Sequence, residues 1–147
     1  MTENQSDKIK QEINKAINFL GQNKFDEAEK ACKEILHAGD NPDAYHILSS
    51  ITIYKREYDK SIDYAMKSIK INDTNPGYHV TLGCAYSSKQ DYIKSIEAFK
   101  NALKLNSKIA QVHFYLGESY RKLKQYNNAI SSFYDTIELA PDHTGAH

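Results

Sequence analysis

Apolar residues recur along the chain at steps of three and four, and the whole pattern repeats every 34 residues. In residues 92–105 the apolar positions are Ile93, Ile96, Phe99, Leu103 and Leu105. This spacing places side chains on one face of an α-helix, and no stretch shows the period of two that indicates a β-strand. The pattern predicts eight helices in four pairs, over residues 6–22 and 25–38, 42–56 and 58–71, 76–90 and 92–105, and 110–124 and 126–140.

The repeat is clearest in a short motif. Leu-Gly-x-x-Tyr occurs at residues 82–86 and again at 116–120, and Asn-Pro pairs occur at 41–42 and 75–76. An Asn cap followed by proline is typical of a helix start, and glycine lets a second helix approach closely. A fixed period of this size indicates stacked copies of one supersecondary unit.

The second helix of each pair is expected to press a small residue against the first helix. The residues that share this phase are Ala28, Ser61, Ser95 and Ala129, where the first copy is one residue out of register. Phe99 and Phe133, one turn further on, are predicted to fill the space between neighbouring helix pairs.

These residues resemble the tetratricopeptide repeat, whose pattern is W-x2-L-G-x2-Y, A-x3-F, P. The copy that starts at residue 110 matches best, with His113 at the Trp position. The copy from residue 42 is degenerate, with Ser49 in place of glycine. The resemblance implies an all-α fold, a right-handed α-solenoid of antiparallel helix hairpins in about four repeats. It predicts a single domain over residues 1–147, with repeats at about 9–41, 42–75, 76–109 and 110–143, and 144–147 beginning an incomplete fifth repeat.

Composition narrows the class of partner. The chain has 19 basic and 19 acidic residues and no net charge, whereas a nucleic-acid-binding protein needs a basic field. It contains no apolar run near the roughly 20 residues of a membrane helix and no secretory signal, and its two cysteines form no CxxC pair. The sequence therefore predicts a cytoplasmic protein that binds neither nucleic acid nor membranes.

The resemblance also implies that ligands lie in an inner groove formed by the first helix of each repeat. The predicted groove positions are His46, Ile47, Ser50, Tyr54, Val80, Thr81, Cys84, Gln111, Phe114, Tyr115 and Glu118. Relatives that grip a terminal carboxylate use cations and amides, but the matching positions here are Ile13, Ile17, Ile47, Gln111 and Tyr115. The leading hypothesis is a non-catalytic adaptor or scaffold that binds a peptide or helix of a partner protein.

Neither catalysis nor metal binding is predicted. His79, His113 and His147 share one phase, but each lies on a separate helix without recurring Cys or carboxylate neighbours, which favours packing over zinc binding. Cys84 lacks the cationic neighbours that activate a thiol. The chain shows no phosphate-binding loop or catalytic motif, so no enzyme activity and no cofactor are expected.

Two other hypotheses concern the end of the chain. The unfinished fifth copy suggests the N-terminal region of a larger multidomain enzyme, for instance a transferase, that recruits substrate. Alternatively, the last hairpin self-assembles into a homo-oligomer. The residues expected to be exposed on this oligomer face are Ile130, Phe133, Tyr134 and Ile137.

Overall fold

The computed structural model describes residues 3–140. Within this range the chain forms eight α-helices and no β-strand, so the all-α prediction is confirmed. The helices are α1 (Glu3–Gly21), α2 (Phe25–His37), α3 (Pro42–Tyr54), α4 (Tyr58–Ile71), α5 (Pro76–Ser88), α6 (Tyr92–Leu105), α7 (Ala110–Lys122) and α8 (Tyr126–Leu139). Helix α1 begins three residues before its predicted start, and the other limits agree within two residues. The predicted fifth-repeat start, including His147, lies outside the described residues.

The chain divides into two units, Met1–Asn72 and Asp73–His147. Unit 1 contains α1 to α4, and unit 2 contains α5 to α8. In each unit consecutive helices pair as hairpins, and the second helix of one hairpin packs on the first helix of the next. Contacts between sequence neighbours of this kind are typical of repeat proteins.

The helix starts follow the predicted capping pattern in two places. The Asn41 side chain accepts a hydrogen bond from the Ala44 amide at 3.0 Å, and the Asn75 side chain accepts one from the Gly77 amide at 2.9 Å. A proline follows each cap. These bonds satisfy amides that have no partner inside the helix.

Each hairpin turns through one residue with left-handed backbone geometry. The four residues are Asn23, Arg56, Gln90 and Lys124, with φ angles of 59°, 61°, 68° and 61°. The residue after each of them donates its amide to a carbonyl five positions earlier, as Glu57 does to Thr52 at 2.8 Å. This bond closes the preceding helix in a Schellman-type cap, which requires a positive φ at the residue before the donor.

The helices of the hairpins approach closely where the sequence predicts small residues. Ala28, Ser61 and Ser95 are fully buried, and Ala129 is 2% exposed. In unit 2, a Cβ atom on Gly83 would lie 2.5 Å from Phe99 Cε1, and one on Gly117 would lie 2.5 Å from Phe133 Cε1. The two glycines are therefore required by close packing.

Candidate functional site

A cleft of about 690 Å³ lies between α1 and α3 in unit 1. Its apolar lining comes from both helices and consists of Ile9, Ile13, Ile17, Leu20 and Ile47. Its polar lining consists of Ser6, Lys10, Asn14, Asn41, Asp43, His46 and Ser50. Three of the predicted groove positions, His46, Ile47 and Ser50, thus line the cleft from α3, opposite α1, the first helix of the preceding hairpin.

The apolar residues of the cleft differ in how far a ligand can reach them. Ile13 and Ile47 are only 8% and 5% exposed and belong to the core of unit 1, so Ile47 forms the floor of the cleft. Ile17 is 49% exposed and is the most accessible of the three. In the sequence, Ile17 is identified only as the counterpart of a residue that binds a terminal carboxylate in relatives, and it is absent from the predicted groove positions. The signal for its role was the run of isoleucines at every fourth residue of α1, from Ile9 to Ile17.

His46 is half-buried in this cleft, where burial lowers the pKa of its imidazole while nearby Asp43 acts in the opposite direction. Because the pKa falls below its ordinary value of 6.5, the ring is mostly neutral at pH 7. Ser50 donates its hydroxyl to the His46 carbonyl oxygen at 3.3 Å, which leaves its oxygen lone pairs as acceptors. The cleft therefore offers uncharged polar groups beside its apolar floor.

Tyr54 lies elsewhere on α3. It is the last residue of that helix, is 67% exposed, and stacks on Phe25, the first residue of α2, with ring centroids 4.9 Å apart. The structure therefore places this predicted groove residue against α2, and His46, Ile47 and Ser50 against α1.

In unit 2 the predicted groove positions lie on α5 and α7, and aromatic rings fill part of this surface. Tyr115 stacks on Phe99 at 5.6 Å between centroids, and Phe114 packs on Phe133 at 5.8 Å. Val80 and Cys84 pack against the same core, Thr81 donates its hydroxyl to the Gly77 carbonyl oxygen at 3.1 Å, and Gln111 is exposed. Phe114 and Tyr115 are half-buried, so a ligand could reach only part of each ring.

The protonation states of three side chains bear on whether these surfaces could support catalysis. The three residues are Glu118, Cys32 and Cys84. Arg121 donates two hydrogen bonds to the Glu118 carboxylate, at 3.1 and 2.8 Å, and these bonds lower the pKa of Glu118. Burial raises the pKa of Cys84 to about 11 and that of Cys32 to about 12. Both thiols are therefore protonated near neutral pH and are poor nucleophiles.

The repeated histidines anchor the loops that precede their helices. The Nε2 atom of His79 lies 3.1 Å from the Asp73 carbonyl oxygen, and that of His113 lies 2.9 Å from the Ser107 carbonyl oxygen. Since a carbonyl only accepts, Nε2 is the donor in both. These contacts fit the predicted packing role for His79 and His113. Among the described residues, no group of three His, Cys, Asp or Glu could hold a metal ion.

Helix α8 has an exposed apolar surface narrower than the predicted oligomer face. Ile130 is 51% exposed and Tyr134 is 68% exposed, but Phe133 and Ile137 are half-buried. Phe133 is shielded because its ring covers Gly117 and contacts Phe114. Tyr126, which was not predicted, is 57% exposed and extends this surface toward the start of α8.

None of the helices formed by residues 3–140 is long and apolar enough to span a membrane.

Several solved structures have similar folds. A crystal structure of MamA matches with a TM-score of 0.82 and 23% identity, over 89% of this chain and 77% of that one. YrrB, described as a TPR protein with an unusual peptide-binding site, matches with a TM-score of 0.80 and 16% identity, over 89% of this chain and 68% of that one. MamA from Desulfovibrio magneticus RS-1, residue 41 to the end, has a TM-score of 0.81 and 16% identity, over 92% of this chain and 77% of that one. At these identities the likeness shows the fold.

The sequence comparisons identify the repeat itself. A search of curated proteins finds no match. Two family models, both described as Tetratricopeptide repeat, match residues 80–144 and 42–75, which together make up about two thirds of the chain. Since these matches agree with the 34-residue period and the paired helices, the chain belongs to the tetratricopeptide repeat family.

Proposed function

We propose that this chain is a non-catalytic protein-interaction module that binds an apolar helix or extended segment of a partner protein in the cleft between α1 and α3. The observation that carries this proposal is the apolar floor of the cleft, about 690 Å³ in volume, with Ile17 half exposed at its surface. Repeat proteins bind ligands on surfaces of this kind. The similar structure of YrrB, with its peptide-binding site, supports the same class of function.

The lining of the cleft favours a particular kind of segment. Ile13 and Ile47 provide a floor that accepts apolar side chains, and a helix offers such side chains at every third or fourth residue. Lys10 and Asp43 place both signs of charge around the cleft, so its field does not select an acidic or a basic tail. A ligand charge held against Ile13 and Ile47 would lose its hydration with only apolar atoms beside it. We therefore expect the bound face to be uncharged.

The state of the candidate groups supports the proposal that the module is non-catalytic. The two thiols have raised pKa values, and the Glu118 carboxylate is held by Arg121. These groups therefore lack the poised protonation states that catalysis needs.

The surface of unit 2 offers a second contact. Its exposed part includes Gln111 and the edges of Phe114 and Tyr115. A double substitution of Phe114 and Tyr115 would also disturb the packing of Phe133 and Phe99, so loss of binding in that variant would be ambiguous. The cleft of unit 1 allows a cleaner test.

The test uses a displayed library of short helical peptides, selected for binding to the purified chain. The substitution Ile17→Asp places a charge on the cleft and should weaken the selected peptides by at least about tenfold, equivalent to about 1.4 kcal/mol. Met66→Asp is the matched control, because Met66 is 53% exposed in the same unit but lies on α4. Equal affinity of a selected peptide for both variants, with both folded by circular dichroism, would contradict the proposal.

A further inference from the structure

Three exposed apolar side chains follow one line along α8. Tyr126, Ile130 and Tyr134 are 57%, 51% and 68% exposed, and they are spaced at every fourth residue. Side chains at this spacing lie one above the other on the same face of a helix. We call these three residues the α8 stripe.

The preceding hairpin shows what such a surface contacts when it is covered. Ile96 of α6 has the same phase as Ile130, but it is only 9% exposed, and it packs with Leu116 and Tyr120 of α7. The phase of Tyr134 holds Lys100 in α6, whose ammonium lies 5.8 Å from the Tyr120 ring centroid. Helix α8 therefore has Tyr134 where α6 has the charged Lys100. This exchange makes the face of α8 better suited to contact an apolar helix.

The charges around the stripe are arranged asymmetrically. Lys122 and Lys124 lie near the N-terminal end of α8, whereas Glu138 lies near its C-terminal end. The adjacent Arg121 is already paired with Glu118, and Asp135 contacts His113 of α7. Two α8 helices that pack in parallel would place like charges together, whereas antiparallel helices place the basic end of each beside the acidic end of the other. Opposite charges across an interface favour that orientation.

We propose that the α8 stripe binds the α8 stripe of a second copy of this chain in an antiparallel, two-fold arrangement centred on Ile130. In this arrangement Ile130 meets Ile130 of the second copy, and Tyr126 meets Tyr134 of the second copy. Both contacts bury apolar surface, and the aromatic pairs add an offset ring contact. A contact of this kind uses the same surface on both molecules and closes as a dimer.

A head-to-tail contact is less favourable because of the surface available on the first hairpin. The surface groove between α1 and α2 is lined by charged residues that include Lys8, Glu12, Lys15 and Glu34. Covering the α8 stripe with that surface would desolvate charges against tyrosine and isoleucine. The stripe of a second copy provides an apolar surface of the same length.

The first experiment is sedimentation equilibrium of the full chain over a wide concentration range. A contact between two single helices buries less area than the roughly 1,200–2,000 Å² of a typical stable interface. We therefore expect a dimer that dissociates on dilution. Ile130→Glu places two carboxylates together on the two-fold axis and should raise the dimer Kd by at least about tenfold. Ile93→Glu is the matched control, because Ile93 is 71% exposed on α6 of the same unit. A chain that is monomeric at every concentration, or equal effects of the two substitutions, would overturn the proposal.

Disulfide crosslinking tests the orientation separately, in a chain with Cys84→Ser, since Cys32 is fully buried. Ile130→Cys should crosslink to itself, because the two-fold axis brings the two residues together. Tyr126→Cys and Tyr134→Cys should crosslink when mixed in equal amounts, while each alone should stay monomeric in a non-reducing gel. Self-crosslinking of Tyr126→Cys alone would show a parallel contact and would overturn the antiparallel arrangement.

Discussion

The α3–α4 and α5–α6 hairpins hold their two helices together by different means. In α3–α4, Ser49 and Ser61 exchange hydrogen bonds, each hydroxyl donating to the other's carbonyl oxygen at 2.8 and 2.9 Å. In α5–α6 the residue with the phase of Ser49 is Gly83, and the ring of Phe99 lies directly against it. The repeat therefore specifies a small separation between helices, which either a pair of serines or a glycine beneath an aromatic ring can satisfy.

The serine contact and the glycine–phenylalanine contact differ in how many helices they join. The serine hydrogen bonds join α3 only to α4, within one hairpin. Phe99 also stacks on Tyr115 of α7, so it links its hairpin to the next one in unit 2. We expect substitutions at the aromatic contact to weaken both hairpins of unit 2, and substitutions at the serine contact to act more locally.

The largest effect is expected from removing the aromatic ring. Phe99→Ala should lower the free energy of unfolding by about 3–5 kcal/mol, the range for emptying a buried aromatic site, because Phe99 is only 1% exposed. Urea denaturation measures the loss, and hydrogen exchange should show it in α5 to α8. Phe133→Ala, at a half-buried position, should cost less. A loss below about 1 kcal/mol for Phe99→Ala would mean that the ring is not central to packing.

Adding a methyl group to the glycine tests the same contact from its other side. Gly83→Ala should destabilise the chain by about 1–3 kcal/mol, as overpacking does, since the new Cβ would lie 2.5 Å from Phe99 Cε1. In a Phe99→Ala background the same change should become neutral or stabilising, because alanine favours helix by about 1 kcal/mol over glycine. Additive losses in this double-mutant cycle would show that the two residues do not act as a pair.

A smaller loss of stability is expected when the contact between Ser49 and Ser61 is removed. Ser49→Ala removes one donated hydrogen bond and should cost about 0.5–1.5 kcal/mol. Its matched control is Ser50→Ala, because the Ser50 hydroxyl donates to His46 within its own helix; its effect should stay within about 0.5 kcal/mol. Thermal unfolding of both variants tests this difference, and equal losses would contradict it.

The smallest effect concerns an ion pair that ties α3–α4 to the hairpin before it. Lys55 Nζ lies 2.6 Å from the Glu29 carboxylate and 3.1 Å from that of Asp26. The hydrogen bond from Lys55 is the main cause of the lowered pKa of Glu29. At pH 7, Lys55→Gln should cost about 0.2–1 kcal/mol, the range for exposed pairs.

The pH dependence of that loss has a defined sign. Because the pKa of Glu29 is lower in the folded chain than its ordinary value of 4.5, the pair stabilises fully above that value. Its contribution disappears as the pH falls through the lowered pKa of the folded state. Urea titrations of the original chain and the variant should therefore converge on acidification. Lys33→Gln, which removes only a contact within α2, should have a smaller effect, and a constant difference at all pH values would argue against the pair.

Much of this fold could be predicted from the period of the sequence. The glycines and phenylalanines of unit 2 were identified from their phase because a 34-residue repeat fixes which residues face each other. Within the groove, the position of a residue in the repeat predicts the helix face on which it lies, but not how exposed its side chain is. Ile47 and Tyr54 lie on the same helix, yet one is 5% and the other 67% exposed. That difference depends on packing against α1 and Phe25, which the period does not encode.

The positions that sequence analysis missed share one cause. Because the first copy is one residue shorter than the others, Ile17 has the phase of Ser50, and Tyr126 has that of Tyr92; both counterparts are half-buried. Phase therefore gives Ile17 a groove position and Tyr126 a half-buried one, but it does not give the exposure of either residue. Their exposure depends on which neighbouring helix covers them, and this varies between copies of one repeat.

Each hairpin has its own left-handed turn residue, so the stability of each turn can change independently of the others. Arg56, Gln90 and Lys124 hold a geometry that costs most residues about 1–2 kcal/mol, whereas Asn23 tolerates it well. Replacing Arg56, Gln90 or Lys124 by Asn should therefore stabilise that hairpin while leaving the residues of the cleft and of the α8 stripe unchanged. Evolution can therefore adjust the stability of each hairpin separately from the residues that bind a partner.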